Sequence, residues 1–165
     1  IRQVTGIDTQ IKWPNDVVLN GKKLVGILTE MSAQMNYIEY LVTGIGINAN
    51  LREFPEELED KATSLQKEIG HKVNRSALIA ECMKKIEENY EIFVKAQDLS
   101  GLMAAYQEAL VNQDQQVRVL EPGHEYTGVA RGINAMGELL VEKEDGTITE
   151  VYAGEVSVRG LYGYV

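Results

Sequence analysis

Several residues that build common kinds of site are scarce in this sequence. Cys82 is the only cysteine, which excludes an internal disulfide and fits a reducing compartment. His71 and His124 are the only histidines and stand far apart, which argues against a zinc site built by the protein. No apolar run approaches the ~18 residues that a membrane-spanning helix needs, and no signal peptide is visible. We therefore predict a cytoplasmic protein without membrane contact.

Positive charge is also in short supply. The 165 residues include 16 lysines and arginines against 25 aspartates and glutamates, which gives a formal net charge of −9. This balance argues against a broad basic face that binds nucleic acid. The hydrophobic fraction of 44% is ordinary for a protein that buries a core.

The segment 12–16, Lys-Trp-Pro-Asn-Asp, organises the rest of the chain. It contains the only tryptophan and is followed by Asn20-Gly21, a pair that favours a tight type I′ turn. We predict that Lys12 lies on one strand and that Asp16 begins the next, with Lys22 and Lys23 returning beside it. The hairpin therefore brings several cations and one carboxylate into one neighbourhood.

Longer elements follow this hairpin. Residues 24–31 and 37–48 are rich in β-branched and aromatic side chains, which predicts two long antiparallel strands. Residues 74–96 and 99–111 predict two helices. The first carries an apolar stripe at three- and four-residue spacing, which we expect to face inward; it comprises Leu78, Ile79, Cys82, Met83, Ile86, Tyr90, Phe93 and Val94.

The pattern changes after Gln113. Five short segments separated by turns predict a small antiparallel barrel; they cover residues 116–120, 125–134, 137–143, 147–152 and 155–159. We place a domain boundary here, between residues 1–113 and residues 114–165. The predicted fold class is α+β, with a mixed or antiparallel sheet packed against the two helices and followed by the barrel.

Two stretches are candidate sites on residue chemistry alone. Lys22, Lys23 and Asp16 suit a carboxylate, a nucleotide phosphate and Mg²⁺, but lysines also commonly decorate an exposed Asn-Gly turn. Gly44-Ile45-Gly46-Ile47-Asn48 lacks the third glycine and the following helix of a dinucleotide fingerprint. Its glycines admit a flat ring that Asn48 can hydrogen-bond, or they simply mark a strand kinked by bulges. For each of the two stretches, the binding-site interpretation and the purely structural interpretation both stay open at this point.

The sequence resembles the biotin protein ligase family in three ordered segments. These are Lys-Trp-Pro-Asn-Asp, then Gly-Lys-Lys-Leu-Val-Gly-Ile-Leu, then Gly-Ile-Gly-Ile-Asn, and the end of the predicted barrel, Gly-Glu-Val-Ser-Val-Arg, is similar as well. The resemblance covers nearly the whole chain. It implies a catalytic domain like those of class II aminoacyl-tRNA synthetases and biotin synthetases, truncated at its N-terminus, and an SH3-like barrel.

The resemblance also implies roles for individual residues. Lys23 matches the family lysine that contacts both biotin and the phosphate, where its charge offsets the charge that builds during adenylation. Lys12 and Asp16 match catalytic positions near the nucleotide, with Asp16 as the candidate for the Mg²⁺ that accompanies ATP. Gly26 and Ile27 match the lining of the biotin pocket.

The nucleotide-binding positions implied in the same way are Gly46, Asn48 and Arg159. The implied substrates and cofactor are biotin, ATP and Mg²⁺. The family reaction forms biotinyl-5′-AMP and then transfers biotin to a lysine of the biotin carboxyl carrier protein of acetyl-CoA carboxylase. We also expect a homodimer, since repressor-type members are thought to pair through long strands.

One departure from the family is that its arginine- and glycine-rich adenylate loop, its upstream biotin-contact region and a helix-turn-helix do not occur in this sequence. We therefore expect the chain to be the C-terminal part of a ligase, with little or no activity by itself, and DNA contact only through a separate N-terminal domain. The alternatives are lipoate–protein ligation, a non-catalytic module for dimerisation or carrier docking, and transcriptional repression.

Overall fold

A computed structural model describes residues 1–121, 123–153 and 157–160. The helices and strands are, in chain order, α1 (Arg2–Thr5), β1 (Gln10–Lys12), β2 (Asp16–Leu19), β3 (Lys22–Gln34), β4 (Tyr37–Ile47), a 3-10 turn (Glu56–Leu58), α2 (Leu65–Ile69), α3 (Arg75–Ala96), α4 (Met103–Ala109), β5 (Gln116–Leu120), β6 (Tyr126–Ile133), β7 (Leu139–Glu142), β8 (Ile148–Val151) and β9 (Ser157–Gly160). None of these helices is long and apolar enough to cross a membrane.

The first sheet contains four antiparallel strands in the order β1-β2-β3-β4. The turn between β2 and β3 has positive φ at both Asn20 (51°) and Gly21 (75°), as the Asn-Gly pair predicts. Lys12 ends β1 and Asp16 begins β2, so the predicted hairpin geometry is confirmed. The core beside the first sheet comprises Leu19, Leu24, Val25, Ala49, Leu65, Val73 and Leu78.

The second sheet contains five antiparallel strands in the order β8-β7-β6-β5-β9. Its strands alternate buried and exposed residues, which buries one face of the sheet in a separate core. Strands β5 to β8 lie within the first four predicted segments, and β9 ends one residue beyond the fifth, at Gly160. The first two residues of the predicted strand 155–159, and the predicted turn residue Pro122, lie outside the described residues.

Helix α3 begins as predicted but does not bury its stripe. The side chain of Asn74 caps it by accepting a hydrogen bond from the backbone N–H of Ala77, at 3.1 Å. Leu78 in the first turn enters the core of the first sheet, whereas most of the predicted stripe is exposed, including Met83 and Tyr90 at 59% and 63%. A helix of 22 residues is about 33 Å long, so most of it extends past the cluster that its first turn joins. The expectation of an inward stripe along the whole helix is wrong.

Helix α4 packs against the core of the second sheet. Met103 and Tyr106 lie partly buried there beside Ile11, which comes from β1 of the first sheet. Burial raises the pKa of the Tyr106 phenol to about 12, because the charged phenolate is poorly solvated at this position.

Because Tyr106 is buried, we expect the free energy of unfolding to decrease at alkaline pH. The folded-state pKa of Tyr106 lies above the ordinary value of 10.0, so its contribution is fully present below pH 10 and is lost as the pH rises towards about 12. We expect the free energy of unfolding of the native chain to fall faster over this range than that of Tyr106→Phe. Urea titrations at several pH values measure the difference. Parallel curves for the two proteins would contradict it, and Tyr152→Phe, at an exposed tyrosine, is the control.

Candidate active site

Four predicted residues form a row across the first sheet. Lys12 pairs with Asp16, Asp16 pairs with Gly26, and Gly26 pairs with Gly46, one residue from each strand. Residues directly opposite one another on paired strands share a face of the sheet. One face therefore presents a cation, a carboxylate and two positions without side chains, side by side.

Lys23 reaches this row from β3. The register between β2 and β3 shifts at Val17 and Val18, and Lys23 lies opposite Val18. Its ammonium nitrogen lies 2.6 Å from Oδ1 of Asp16, with the Asp16 side chain only 11% exposed and that of Lys23 41% exposed. A charge-assisted contact of this length between one buried and one accessible partner holds the ammonium in place while leaving it open to a ligand.

The backbone of Lys23 is held from its other side. Its N–H donates to the carbonyl of Lys61 at 2.8 Å, and its own carbonyl accepts from the N–H of Thr63 at 2.9 Å. The segment before α2 therefore runs beside the start of β3, and Lys23 is fixed at both its backbone and its charged end.

The Lys23 side chain lines an open concavity of about 470 Å³. Lys23, Gly26, Gly46 and Asn48 line it together with residues of the segment 51–62, which form a largely apolar wall. The wall residues are Leu51, Glu53, Phe54, Pro55, Leu58 and Ala62. This combination of a few polar groups with an apolar wall is typical of small-molecule sites.

The apolar wall is the part of the site that sequence reasoning missed. Residues 50–72 are polar and broken in sequence. Leu51, Phe54 and Leu58 have the i, i+3, i+7 spacing of a helix, but Pro55 interrupts this stretch and only a 3-10 turn forms there. The available signals are this spacing and the Pro55 start of the turn, which brings these side chains back over the sheet. Only the pairing of Lys23 with Ala62 places the segment beside the glycines.

Lys12 lies deeper than Lys23 and is only 7% exposed. Burial lowers the pKa of its ammonium; the nearby Asp16 carboxylate opposes this shift, whereas the positive charges of Arg159 and Lys23 add to it. Arg159, on β9 of the second sheet, therefore acts electrostatically on the same neighbourhood. The structure thus brings the predicted Lys12, Asp16, Lys23 and Arg159 together in one electrostatic group.

Ile27 is placed differently from the other predicted residues. Its side chain packs against the core on the far side of the first sheet, and it does not line the concavity. Its backbone is tied to Asn15, whose carbonyl accepts the N–H of Ile27 at 2.9 Å and whose side-chain amide donates to the Ile27 carbonyl at 2.8 Å. Period-two alternation along β3 accounts for this, because Gly26 and Ile27 must face opposite ways.

A metal site made by the protein alone is not found in the described part of the chain. No group of three or more histidine, cysteine or acidic residues there is arranged to hold a metal ion. Asp16 is the one carboxylate in the row. Because Mg²⁺ usually binds one or two carboxylates together with substrate phosphates, Asp16 suits a metal that arrives with a nucleotide.

Two family models match this sequence. The model described as the biotin/lipoate A/B protein ligase family matches residues 1–48, which contain the row of site residues. The model described as the biotin protein ligase C-terminal domain matches residues 114–159, which contain the second sheet up to Arg159. Both matched models describe protein ligases, and together they cover the row of site residues and the second sheet.

Individual relatives agree with these matches. The chain is 34% identical over 160 residues to the bifunctional ligase/repressor BirA of Bacillus subtilis, and 31% identical over 150 residues to the biotin–[acetyl-CoA-carboxylase] ligase of Mycobacterium tuberculosis. These matches cover 96% and 90% of this chain but 49% and 53% of the relatives. The chain therefore spans about half the length of these curated relatives.

Solved structures extend the likeness to three dimensions. The apo biotin protein ligase of Aquifex aeolicus superposes with a TM-score of 0.85 at 33% identity, covering 96% of this chain and 68% of that one. The same enzyme in complex with biotin and ATP gives a TM-score of 0.82 at 31% identity, covering 96% and 65%. The chain belongs to the biotin protein ligase family.

The tight packing of Lys23 over Gly26 predicts the effect of adding one methyl group. A β-carbon at Gly26 would lie 3.1 Å from Cε and 3.3 Å from Nζ of Lys23, whereas one at Gly44 would meet only the Leu28 carbonyl, at 3.8 Å. We expect Gly26→Ala to displace the Lys23 ammonium from Asp16 and Gly44→Ala to leave it in place. NMR of Cε-labelled lysine measures this as a shift of the Lys23 signal. Equal shifts in the two variants would show that Gly26 is not needed for this packing.

Proposed function

We propose that this chain supplies the adenylation site of a biotin–protein ligase. In this reaction a biotin carboxylate oxygen bonds to the α-phosphorus of ATP, the bond to the β-phosphate breaks, and pyrophosphate leaves. A carrier lysine amine then attacks the biotinyl carbonyl, an amide forms, and AMP leaves. The observation that carries the proposal is the Lys23 ammonium, held by Asp16 above Gly26 and facing the concavity.

Lys23 is the central catalytic residue in this proposal. Negative charge grows between the carboxylate and the α-phosphate during the first step, and a fixed ammonium beside it stabilises that charge. Because Asp16 and the backbone contacts hold Lys23 in advance, little reorganisation is needed as the charge develops.

The two glycines and the apolar wall suit the flat rings of the substrates. Gly26 and Gly46 lie opposite each other and leave the sheet surface open to close approach. We assign biotin to the Gly26 side, where Ile27 contributes only backbone, and the nucleotide to Gly46 and Asn48. Leu51, Phe54 and Leu58 would cover the ligands and exclude water from a hydrolysable anhydride.

The remaining charges suit the phosphates. Lys12 and Arg159 add positive charge near Asp16, and the three cations around one carboxylate leave the group net positive. Mg²⁺ bound to ATP would neutralise phosphate charge, with Asp16 as its protein ligand. ATP as substrate supports a cytoplasmic location. The proposed partner is the biotin carboxyl carrier protein of acetyl-CoA carboxylase, the enzyme that the name of one relative contains.

We further propose the finer description of the fold. The first sheet with α1 to α4, residues 1–113, would be part of a catalytic domain of the class II aminoacyl-tRNA synthetase and biotin synthetase type. The second sheet, residues 114–165, would close into an SH3-like barrel. Each sheet has a core of its own, which supports two units, although Trp13, Leu110 and α4 from residues 1–113 pack into the core of the second sheet.

Removing the Lys23 charge tests the proposal directly. We expect Lys23→Gln to reduce biotinyl-adenylate formation by about 10²-fold in a full-length ligase that contains this sequence, since loss of one preorganised donor typically costs that much. Lys22→Gln is the matched control, because Lys22 instead donates to the carbonyl of Glu59. Release of radiolabelled pyrophosphate measures the rate. Equal rates for the two variants would reject Lys23 as the catalytic cation.

The choice of acid and the activity of the chain alone need separate measurements. We expect calorimetry on the full-length protein to show binding of biotin and not of lipoate; the opposite result would favour lipoate–protein ligation.

We expect the isolated 165-residue chain to transfer little or no radiolabelled biotin to a carrier domain. Appreciable transfer would show that the arginine- and glycine-rich loop of the family is dispensable.

A second role, self-association, is favoured by the exposure of β4. This strand is the edge of the first sheet, and its large apolar side chains, including Tyr40 and Val42, are 59% and 54% exposed. An edge strand presents unpaired backbone groups that can pair with an identical strand across a two-fold axis. We propose that a second copy of this chain covers β4.

Charge placed on this edge should break the dimer. We expect Val42→Glu to weaken dimerisation at least tenfold in sedimentation equilibrium, because pairing would bury the new carboxylate. Ile79→Glu, at an equally exposed apolar position on α3, should leave it unchanged. Equal effects of the two variants would indicate unspecific association through apolar surface.

A further inference from the structure

Trp13 belongs to the first sheet by sequence and to the second sheet by packing. It follows β1 directly, yet it is only 2% exposed because it is buried in the core of the second sheet. There it joins a cluster formed otherwise by residues far along the chain, including Leu110, Val117 and Val141. The indole therefore connects the end of β1 in the first sheet to the core of the second sheet.

Directed hydrogen bonds hold this link in one geometry. The Trp13 indole Nε1 donates to the carbonyl of Gly137 at 3.0 Å, in the turn before β7. On the other side of Lys12, the N–H of Val111 donates to the carbonyl of Ile11 at 2.9 Å, and Ile11 forms an isolated bridge with Leu110. Both chain neighbours of Lys12 are therefore attached to parts of the chain near or within the second sheet.

Lys12 belongs to the row of site residues on the first sheet. It pairs with Asp16 and is almost fully buried, and neither it nor its two flanking residues line the concavity. A long lysine side chain loses conformational entropy when it is buried, so its placement depends on how rigidly its backbone is held. The attachments of Ile11 and Trp13 supply that rigidity.

We propose that Trp13 is a positioning residue through which the second sheet holds Lys12 beside Asp16 and Lys23. The second sheet thereby acts on the site mechanically as well as through the charge of Arg159. The consequence for nucleotide binding rests on the function proposed above, whereas the effect on Lys12 does not.

Covalent labelling tests the positioning directly. The chain is treated briefly with an amine-reactive ester at constant pH, and labelling at each lysine is measured by peptide mass spectrometry relative to exposed Lys84. We expect Lys12 of the native chain to react at least tenfold more slowly than Lys84. We expect Trp13→Ala to bring Lys12 within about threefold of Lys84, while Lys23, held by residues 61–63, changes little.

Two variants separate positioning from general loss of stability. Val141→Ala removes volume from the same core at a position on β7, outside residues 11–13, and it should keep Lys12 protected. Trp13→Phe keeps an aromatic ring in the core but removes the donor to Gly137, and it should restore part of the protection. The proposal is overturned if Lys12 stays protected in Trp13→Ala, or if Val141→Ala or Trp13→Phe exposes it equally. If Trp13→Ala does not fold, Trp13→Leu takes its place in the same comparison.

Nucleotide binding distinguishes this inference from the proposed function. We expect Trp13→Ala to weaken the binding of ATP about tenfold in calorimetry of the full-length protein, and Val141→Ala to leave it unchanged. Equal affinities for native and Trp13→Ala protein would overturn the role of Trp13 in binding. Absence of ATP binding by the native protein would instead refute the proposed function, and Lys12 labelling would still decide the positioning.

Discussion

The contact between Lys23 and Asp16 is the interaction on which the rest of the site depends. A nearly buried carboxylate is costly unless it is paired, so Asp16 needs a cation at short range. Lys23 meets that need and keeps its ammonium accessible, because Gly26 beneath it has no side chain to displace it. Three features place the Lys23 ammonium beside Asp16. They are the register shift at Val17 and Val18, the absence of a side chain at Gly26, and the backbone hydrogen bonds of Lys23 to residues 61 and 63.

Three parts of the fold contribute to the site: the first sheet, the irregular segment before α2, and the second sheet. The first sheet contributes the row of Lys12, Asp16, Gly26 and Gly46, whose spacing follows from strand pairing. The irregular segment before α2 contributes an apolar wall that no strand supplies. The second sheet contributes the charge of Arg159 and the core that receives Trp13. Loops and appended sheets commonly carry function on a rigid scaffold in this way.

Exposed apolar surface is the other general feature of the chain. Strand β4 and the outer turns of α3 leave large apolar side chains accessible, although their sequence patterns are those of buried elements. Large contiguous apolar areas are rare on soluble monomers and commonly mark interaction surfaces. The chain spans about half the length of the curated relatives that it matches.

Most of the local structure, and membership of the family, follow from the order of residues alone. Asn20-Gly21 dictates its turn through positive φ, Asn74 caps its helix, and alternation in residues 116–151 defines the second sheet, since each depends on neighbours in the chain. The sequence also pointed to Lys12, Asp16, Lys23 and Gly26 as one neighbourhood. Three features became visible only in the folded chain. Ile27 packs against the core, most of the α3 stripe is exposed, and Leu51, Phe54 and Leu58 line one wall of the concavity. The tertiary structure also places Trp13 in the core of the second sheet. These outcomes depend on contacts between residues distant in the chain, which periodicity and local propensity do not encode.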